Sequence, residues 1–373
     1  MLDLHRDHTV PLERPGQLRN PLWTPASLLG VSLETAVELV EARGAVAQLC
    51  VLRGDEVLLD RSFGCAPDAL FWIFSASKPY TAILVHLLAE RGQLALDAPV
   101  ATYWPEFARH GKEGITVRQV LQHRSGLTTA GTALGDALAM TNWRRSVHRI
   151  ERTRPRWPPG QAPAYQFLTF GFILGEVVRR VTGRAFRDVL STELLAPLGV
   201  RDTYLGLPGE LWSRAVPLLA PGPVAATLNR PAARAAVVPA AGVSTTARDL
   251  AAFYRVLLRG GDGIISASSI EQARVPSSDG ELDRYVKLPI RWSQGFQLGG
   301  PRPALTPLGA SSSPRTFGHN GSNCCIAWAD PDRDLVYAYV TDRVRGQAAA
   351  VRHQAAVADA VLGEFTLGRE RRG

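Results

Sequence analysis

Two pairs of strand-forming segments, one near each end of this 373-residue chain, constrain its fold more than any other feature. Near the start, residues 45–53 and 56–63 are separated by a Gly-Asp pair, which is typical of a tight hairpin turn. Near the end, residues 324–328 and 335–341 have the same character and flank a segment rich in Asp and Pro. Because both ends supply strands, we expect one antiparallel sheet that is built from the two termini.

Between these strands the sequence favours helices. Apolar residues recur at helical spacing over residues 117–122, 170–181 and 246–258, and each segment is bordered by residues that commonly cap a helix. Two more helices are predicted beside the strands, over residues 33–41 and 347–362. Their apolar faces would cover the sheet.

This order of elements predicts an α+β fold, an α/β sandwich in which helices cover an antiparallel sheet formed from both chain termini. The sheet domain would be discontinuous and comprise residues 1–74 and 261–373. Residues 75–260 would form an inserted, mainly helical region. A cleft between the two regions is the expected place for an active site.

Composition is that of an ordinary globular protein, with 46% hydrophobic and 20% charged residues. There is no uninterrupted apolar run of about 18 residues, so no membrane-spanning helix is predicted. The first eight residues are charged and lack the apolar core of a secretion signal. We therefore expect a cytoplasmic protein that does not associate with membranes.

The four cysteines do not form a disulfide framework, and reduced thiols are expected. Cys324 and Cys325 are adjacent and, in the strand predicted there, would point to opposite faces of the sheet. Neither the cysteines nor the histidines have convincing metal-ligand spacing, and His5 and His8 are poor candidates. No metal and no cofactor is expected.

The net charge of +8 raises the question of a nucleic-acid partner. The charge is mostly dispersed, and no aromatic-basic platform or nucleic-acid motif is visible, so no such partner is expected. The densest run of arginines lies between Arg144 and Arg156. A solvated helix face followed by a loop is the simpler explanation, and the alternative is a docking patch for an anionic carrier or a phosphate-bearing substrate.

Lys78, one of only three lysines in the chain, lies three positions after Ser75. Arginine cannot lose its proton in a protein, whereas a desolvated lysine can act as a neutral base. If a helix begins at Ser75, the two side chains lie on one face, and Pro79 is tolerated in the first turn. Alone, the pair is more simply a capped helix start with a solvated lysine. Its significance depends on what else the chain supplies.

Two further segments supply groups of the kind that a serine nucleophile needs. Tyr165 precedes the helix predicted over residues 170–181, and a tyrosine on a loop can share a proton with a lysine and relay it to a leaving group. Near the C-terminus, Phe317-Gly318-His319-Asn320-Gly321-Ser322 leads into the strand at residues 324–328. A histidine on a strand edge can place a donor beside a substrate, and the glycine lets the substrate approach the backbone.

In their order along the chain, these motifs resemble those of the serine β-lactamase and penicillin-binding-protein superfamily. The nearest branch is related to class C and includes family VIII esterase-like hydrolases and transacylases. The resemblance covers about residues 33–365. Ser75-Ala76-Ser77-Lys78 is similar to the Ser-x-x-Lys box, Tyr165 to the tyrosine box and residues 317–321 to the Lys/His-x-Gly strand. Residues 123–127 resemble a His-Thr-Ser-Gly-Leu segment, in which we interpret His123 and Ser125 as a structural tie.

The resemblance implies a role for each matching residue. Ser75 would be the nucleophile, Lys78 its general base or proton relay, and Tyr165 the partner acid or base. Which of Lys78 and Tyr165 is the dominant base stays open. The backbone N–H groups of Ser75 and Ser322 would form the oxyanion hole, because a tetrahedral oxyanion needs two aimed donors. The residues predicted to bind substrate are His319, Asn320, Gly321, Phe167 and Trp292.

Two departures from class C β-lactamases lower the expected activity on β-lactams. Phe167 stands where their tyrosine box carries asparagine, and an apolar ring cannot hydrogen-bond the lysine or a β-lactam amide. His319 stands where they carry lysine, and a mostly neutral histidine is a poorer anchor for a substrate carboxylate. Weak or no β-lactamase activity is therefore expected.

These observations predict a serine acyl-enzyme catalyst that cleaves an ester or an activated acyl donor through Ser75. The acyl group would pass to water (an esterase) or to an amine or alcohol (a transacylase, as in natural-product biosynthesis). Two alternatives stay open: a cytoplasmic amidase or D-amino-acid peptidase, and a non-catalytic binding protein on the same fold. A binding protein would have no need of Ser75, Lys78 and Tyr165 together. The acyl donor, the acceptor and the oligomeric state stay undetermined.

Overall fold

The computed structural model describes residues 32–220, 224–300, 306–344 and 346–365. The strands in this part of the chain are β1 Ala47–Arg53, β2 Glu56–Phe63, β3 Phe71–Trp72, β4 Tyr204–Leu205, β5 Val243–Thr245, β6 Gln297–Leu298, β7 Phe317–Gly321, β8 Cys325–Asp330 and β9 Leu335–Thr341. They form a six-stranded sheet in the order β2-β1-β9-β8-β7-β6 and a three-stranded sheet in the order β3-β5-β4. All named strand pairs are antiparallel.

Helices cover both faces of the larger sheet. The α-helices in the described residues are α1 Glu34–Ala42, α2 Lys78–Glu90, α3 Val100–Tyr103, α4 Val117–Leu121, α5 Ala133–Ala139, α6 Trp143–Glu151, α7 Thr169–Thr182, α8 Phe186–Leu190, α9 Val224–Leu228, α10 Pro231–Arg234, α11 Ala247–Leu258, α12 Ala267–Arg274 and α13 Gln347–Gly363. Short 3₁₀ turns span Phe74–Ser77, Pro105–Ala108 and Gly209–Arg214, and a π-helical turn spans Ser191–Leu195.

The larger sheet joins the two ends of the chain, as predicted. Strand β1 pairs with its hairpin partner β2 on one side and with β9, the last strand of the chain, on the other. Two strands from the start of the chain are therefore continuous with four from its end. The α+β fold with an antiparallel sheet from both termini is confirmed.

Alternate residues of the central strands face two separate apolar cores. Leu49 and Tyr337 belong to the core that lies under α1 and α13. The next residues along the same strands, Cys50 and Ala338, belong to the larger core on the opposite face, which includes α2, α7 and α11. Because successive side chains of a strand point to opposite faces, central strands that are covered on both sides are buried along their whole length, as β8 and β9 are.

The predicted division into a sheet domain and the helical region 75–260 stays a prediction. Helix α11 lies within residues 75–260 in sequence, yet it packs against β1, β8 and β9 of the larger sheet. The short strands β4 and β5 come from the same region and pair next to β3. The region therefore supplies one covering layer of the sheet as well as helices further away.

The start of α2 differs from the predicted helix that begins at Ser75. A 3₁₀ turn, Phe74–Ser77, comes first, and α2 begins at Lys78 with Pro79 in its first turn. Residues three apart are eclipsed in a 3₁₀ turn. Ser75 and Lys78 therefore still face each other, although the turn is tighter than the predicted helix.

The prediction that Cys324 and Cys325 point to opposite faces is wrong. Ser322 and Asn323 have positive φ angles of 46° and 57° and form a turn that includes Cys324, so β8 begins only at Cys325. The two Sγ atoms lie 3.6 Å apart within the larger core. All four cysteines are free thiols.

The segment with His5 and His8 lies outside the described residues. Within them, no group of three or more His, Cys, Asp or Glu side chains could hold a metal ion. No helix of the described ranges combines the length and the apolar character needed to cross a membrane.

Candidate active site

Ser75 lies in the 3₁₀ turn between β3 and α2. The residue before it, Phe74, has a φ of 48°, a conformation that is costly for a residue with a bulky side chain. Its ring is buried and stacks on Trp72 at a centroid distance of 5.0 Å, and this packing holds the turn. The turn places the Ser75 hydroxyl close to the N-terminus of α2, where the helix dipole favours developing negative charge.

The structure brings Ser75, Lys78 and Tyr165 together, as the sequence predicted. Lys78 Nζ lies 3.2 Å from Ser75 Oγ, and the Tyr165 phenol donates a hydrogen bond of 2.6 Å to the same oxygen. Tyr165 is 90 positions away from Ser75 in the sequence. One hydroxyl therefore contacts an amine and a phenol at once, which is the arrangement that can activate a serine.

Lys78 is completely buried, and burial holds the pKa of its amine well below the usual value. The rings of Tyr165 and Phe170 have their centroids 4.7 and 5.8 Å from Nζ. Nζ also donates to the backbone oxygen of Ala240 at 3.3 Å. A neutral amine that donates to Ala240 keeps its lone pair for the Ser75 proton.

Tyr165 shows the opposite shift. Burial raises the pKa of its phenol above the usual value, although the hydrogen bond with Ser75 lowers it. The phenol is therefore protonated near neutral pH and can donate a proton. Its ring stacks on Trp292 with the two centroids 5.4 Å apart and the planes inclined by 17°.

A cavity of about 430 Å³ opens beside these groups. Its wall includes most of the residues predicted to act on or bind a substrate: Ser75, Tyr165, Phe167, Trp292, His319, Asn320 and Ser322. Apolar side chains form another part of the wall, among them Val286, Leu288, Ile290, Leu298 and Leu308. Lys78 is not part of this wall, because it lies buried next to Ser75.

His319 is neutral at the cavity wall. Burial, and then the nearby Lys78, lower the pKa of its imidazole to about 3. Nδ1 lies 2.7 Å from the carbonyl oxygen of Asn320, which can only accept, so the proton of the neutral ring is on Nδ1. Nε2 is buried and has no hydrogen-bond partner among the described residues. The ring therefore offers the cavity neither a charge nor the free donor that the sequence suggested.

The end of β7 packs tightly against the turn that carries Ser75. A methyl group added at Gly321 would overlap the carbonyl oxygen of Ile73 and would approach the backbone nitrogen of Ala76 within 3.3 Å. Ser322 follows Gly321 directly, and both Ser75 and Ser322 lie in the wall of the cavity. The oxyanion hole formed by these two backbone N–H groups stays a prediction, and this contact is the geometry that favours it.

Two residues at the site were not predicted to act there. His123 accepts the backbone N–H of Gln166 at 3.2 Å, and its ring lies 4.9 Å from that of Tyr165. Burial, followed by Lys78, holds the pKa of His123 well below its usual value. Asp283 accepts the backbone N–H of Tyr165 at 2.9 Å from 118 positions away. Nothing in the local sequence marks Asp283, because it lies in an ordinary polar loop.

The arginine run between Arg144 and Arg156 is divided between helix α6 and the loop that follows. Arg144 and Arg145 are exposed, whereas Arg149 pairs with Asp136 at 3.3 Å. Arg156 donates to the carbonyl oxygen of residue 131 at 2.9 Å. Two members of the run therefore have partners within the protein, and a docking role for the rest stays a prediction.

Known proteins resemble the chain over most of its length. A family model described as Beta-lactamase matches residues 34–362. The esterase/beta-lactamase LipL of Mycobacterium tuberculosis is 30% identical over 313 residues, which cover 74% of this chain and 70% of LipL. The crystal structure of a family VIII carboxylesterase has a TM-score of 0.79 at 26% identity and covers 93% of this chain and 99% of that one. A penicillin-binding-protein homologue from Caulobacter crescentus has a TM-score of 0.77 at 27% identity, with coverages of 89% and 97%.

Proposed function

Since the chain belongs to the beta-lactamase family, we propose that it is a serine acyl-enzyme catalyst that cleaves an ester or an activated acyl donor through Ser75. One observation carries the proposal. The Ser75 hydroxyl, at the wall of a 430 Å³ cavity, is within hydrogen-bond reach of both Lys78 and Tyr165. The similarity to an esterase/beta-lactamase and to a carboxylesterase supports an ester as the donor.

In the first half of the reaction, Ser75 Oγ attacks the carbonyl carbon and its proton passes to the neutral amine of Lys78. The carbonyl electron pair moves onto oxygen, where the backbone N–H groups of Ser75 and Ser322 stabilise it. The bond to the leaving oxygen then breaks, and that oxygen takes the phenol proton of Tyr165. Lys78 returns its extra proton to Tyr165, which leaves an acyl-Ser75 ester and an alcohol.

In the second half, water, an alcohol or an amine attacks the acyl-Ser75 ester. The attacking group gives its proton to Lys78, and Ser75 Oγ leaves and recovers a proton by the same route. Water gives a carboxylic acid, which makes the protein an esterase. An amine or alcohol gives an amide or a new ester, which makes it a transacylase. The outcome depends on how well the cavity holds the acceptor and excludes water.

The preferred acyl donor is an uncharged, largely apolar ester. Leu288, Ile290 and Leu298 supply apolar surface to the cavity wall. His319 is neutral, because the pKa of its imidazole lies at about 3, so it cannot pair with a substrate carboxylate. Phe167 cannot hydrogen-bond the amide side chain of a β-lactam. Weak or no β-lactamase activity follows from this proposal.

Covalent trapping tests the proposal. Short p-nitrophenyl esters should add one acyl group to the protein, seen by intact mass, and a fluorophosphonate should label it stoichiometrically. Both adducts should disappear in Ser75→Ala, while Ser77→Ala, which changes a nearby serine in the same turn, should keep the acyl adduct. A wild-type protein that neither probe labels would be a non-catalytic binding protein.

A chase of the trapped acyl-enzyme separates the two activities. Release of free acid alone, in the presence of millimolar amines, supports an esterase. Capture of the acyl group by the amine supports a transacylase. Turnover of D-amino-acid peptide amides above that of simple esters would instead support an amidase.

A cytoplasmic location and an anionic carrier at the arginine run are further proposals. The exposed guanidinium groups of Arg144 and Arg145 would pair with phosphate or carboxylate groups of such a carrier. If they do, Arg144→Glu with Arg145→Glu should weaken transfer from a carrier-bound donor and leave turnover of a free p-nitrophenyl ester unchanged.

A further inference from the structure

One buried carboxylate, that of Asp283, accepts four N–H groups. Its Oδ2 accepts the backbone N–H of Tyr165 and the indole N–H of Trp292, both at 2.9 Å. Its Oδ1 accepts the backbone N–H groups of Tyr285 and Val286, both at 2.8 Å. Asp283 has no exposed surface, and a buried carboxylate is tolerated only when such donors satisfy it.

The four donors belong to three different parts of the site. Tyr165 carries the phenol that contacts Ser75. Trp292 is the ring on which the Tyr165 ring stacks. Tyr285 and Val286 form part of the cavity wall. One carboxylate therefore holds the backbone of Tyr165, the Trp292 ring on which Tyr165 stacks, and the part of the cavity wall formed by Tyr285 and Val286.

Further contacts join the loop before Tyr165 to the segment after Asp283. The backbone N–H of Arg284 donates to the carbonyl oxygen of Pro163 at 2.9 Å, and its guanidinium contacts the side chain of Gln161 at 3.2 Å. The segment after Asp283 closes on itself, because the Asp283 N–H donates to the Leu288 carbonyl oxygen at 3.0 Å. The loop before Tyr165 is thus tied to a compact turn.

We propose that Asp283 is a positioning residue that holds the Tyr165 phenol at hydrogen-bond distance from Ser75. The side chain of Tyr165 has only two rotatable bonds, so its backbone and its stacking partner together determine where the phenol lies. Asp283 binds both. This inference rests on the proposed function, since it assigns Tyr165 the proton transfer described above.

Asp283→Asn tests the inference with little change in shape. The asparagine side chain has an NH₂ group in place of one carboxylate oxygen. The two N–H groups that this oxygen accepts in wild type would therefore face a donor. Turnover of a short p-nitrophenyl ester should fall ~100-fold in kcat, because a displacement of about 1 Å in a catalytic group costs that much. KM should change much less than kcat, and the acid limb of the kcat pH profile should keep its wild-type position, because Asp283 acts on Tyr165 and not on Lys78.

Asp279→Asn is the matched control. Asp279 lies four positions earlier, its side chain is 77% exposed and it pairs with Arg291 at 3.0 Å. It should keep the wild-type kcat and pH profile. Asp283→Glu, which restores the charge on a longer side chain, should recover part of the lost rate.

Hydrogen exchange reports the same contact without any turnover. Peptides that cover residues 161–168 and 283–292 should exchange faster in Asp283→Asn than in wild type, and at the wild-type rate in Asp279→Asn. Should Asp283→Asn fail to fold, Trp292→Phe keeps the ring stack and removes one donor, and it should raise exchange at residues 161–168 and lower kcat.

Wild-type kcat and wild-type exchange at residues 161–168 in Asp283→Asn would overturn the inference. A loss of kcat with unchanged exchange there would overturn it too, since the rate would then fall by another route. If the wild-type protein takes no fluorophosphonate label, the proposed function fails instead. The exchange measurement then still decides whether Asp283 holds the Tyr165 loop.

Discussion

The phenol of Tyr165 donates to the hydroxyl oxygen of Ser75 over 2.6 Å, a shorter distance than the 3.2 Å between that oxygen and the amine of Lys78. Burial shifts the pKa values of the phenol and the amine in opposite directions, upward for Tyr165 and downward for Lys78. Both shifts favour the uncharged forms of the two groups. The neutral amine has a free lone pair and the phenol has a proton, and the proposed mechanism therefore assigns Lys78 the role of base and Tyr165 that of acid.

This order of proton transfer predicts the effect of pH on the reaction. Lys78 must be neutral to take the Ser75 proton, and burial lowers its pKa well below the usual value. The value of kcat/KM should therefore rise with pH through that lowered pKa and reach its plateau at a lower pH than the pKa of an ordinary lysine would allow. Initial rates on a p-nitrophenyl ester across the pH range measure the profile.

Lys78→Arg replaces the base with a side chain that stays protonated and cannot accept the Ser75 proton. Arginine stays protonated, so kcat/KM should fall ~10³-fold at every pH, in the range that general-base catalysis contributes. Lys287→Arg is the matched control, because Lys287 is exposed and should tolerate the change. An active Lys78→Arg variant would show that Lys78 is not the base.

His319→Lys should change which acyl donors are accepted. The neutral imidazole gives a substrate carboxylate no partner, whereas a lysine can supply an ammonium group at this wall. The ratio of kcat/KM for a carboxylate-bearing β-lactam to that for a neutral ester should rise ~10-fold, a gain of about 1.4 kcal/mol for a new charge-assisted hydrogen bond. His319→Asn, which is neutral, should leave the ratio unchanged. An equal rise in both variants would indicate added space in the cavity and not charge.

Patterns that act over short distances were sufficient to predict the long strands β1, β2, β8 and β9 and the helices α1, α4, α7, α11 and α13. Helix α4 starts at residue 117 as expected, where the structure shows a capping box between Thr116 and Gln119, and Gly183, with a φ of 67°, ends α7. The spacing of Ser75 and Lys78 survives because residues three apart approach each other in a 3₁₀ turn as well as in an α-helix.

Features that the preferences of single residues do not determine were not predictable. Phe74 has a positive φ while its ring stacks on Trp72, and Cys324 lies in a turn in which Ser322 and Asn323 have positive φ. A sequence shows neither, since serine and asparagine do not require that conformation. Asp283 was missed for a different reason, because its partner Tyr165 lies 118 positions away in the chain.

Gly321→Ala should separate the nucleophile from the strand beside it. The added methyl group would overlap the Ile73 carbonyl oxygen, so β7 must move away from the turn that holds Ser75. We expect kcat to fall ~100-fold, because Ser322 would no longer be aimed at the oxyanion. Gly209→Ala is the matched control, since nothing lies within 4 Å of the added carbon there. Equal kcat in the two variants would exclude a role for this contact in catalysis.

His86 on α2 should make the fold sensitive to acid. It is buried, and burial, with a smaller effect of Arg118, lowers the pKa of its imidazole from 6.5 to about 4. The unfolded chain therefore binds a proton at a higher pH than the folded chain does, so stability is fully present above pH 6.5 and falls as the pH drops towards 4. The difference in pKa corresponds to about 3 kcal/mol. His86→Gln removes this titration, and its free energy of unfolding, measured by denaturant titration, should decline less than that of wild type between pH 6.5 and 4. If the free energy of unfolding declines equally in wild type and His86→Gln, the folded state does not disfavour protonation of His86. The acid sensitivity would then arise from His123, His319 or the carboxylates.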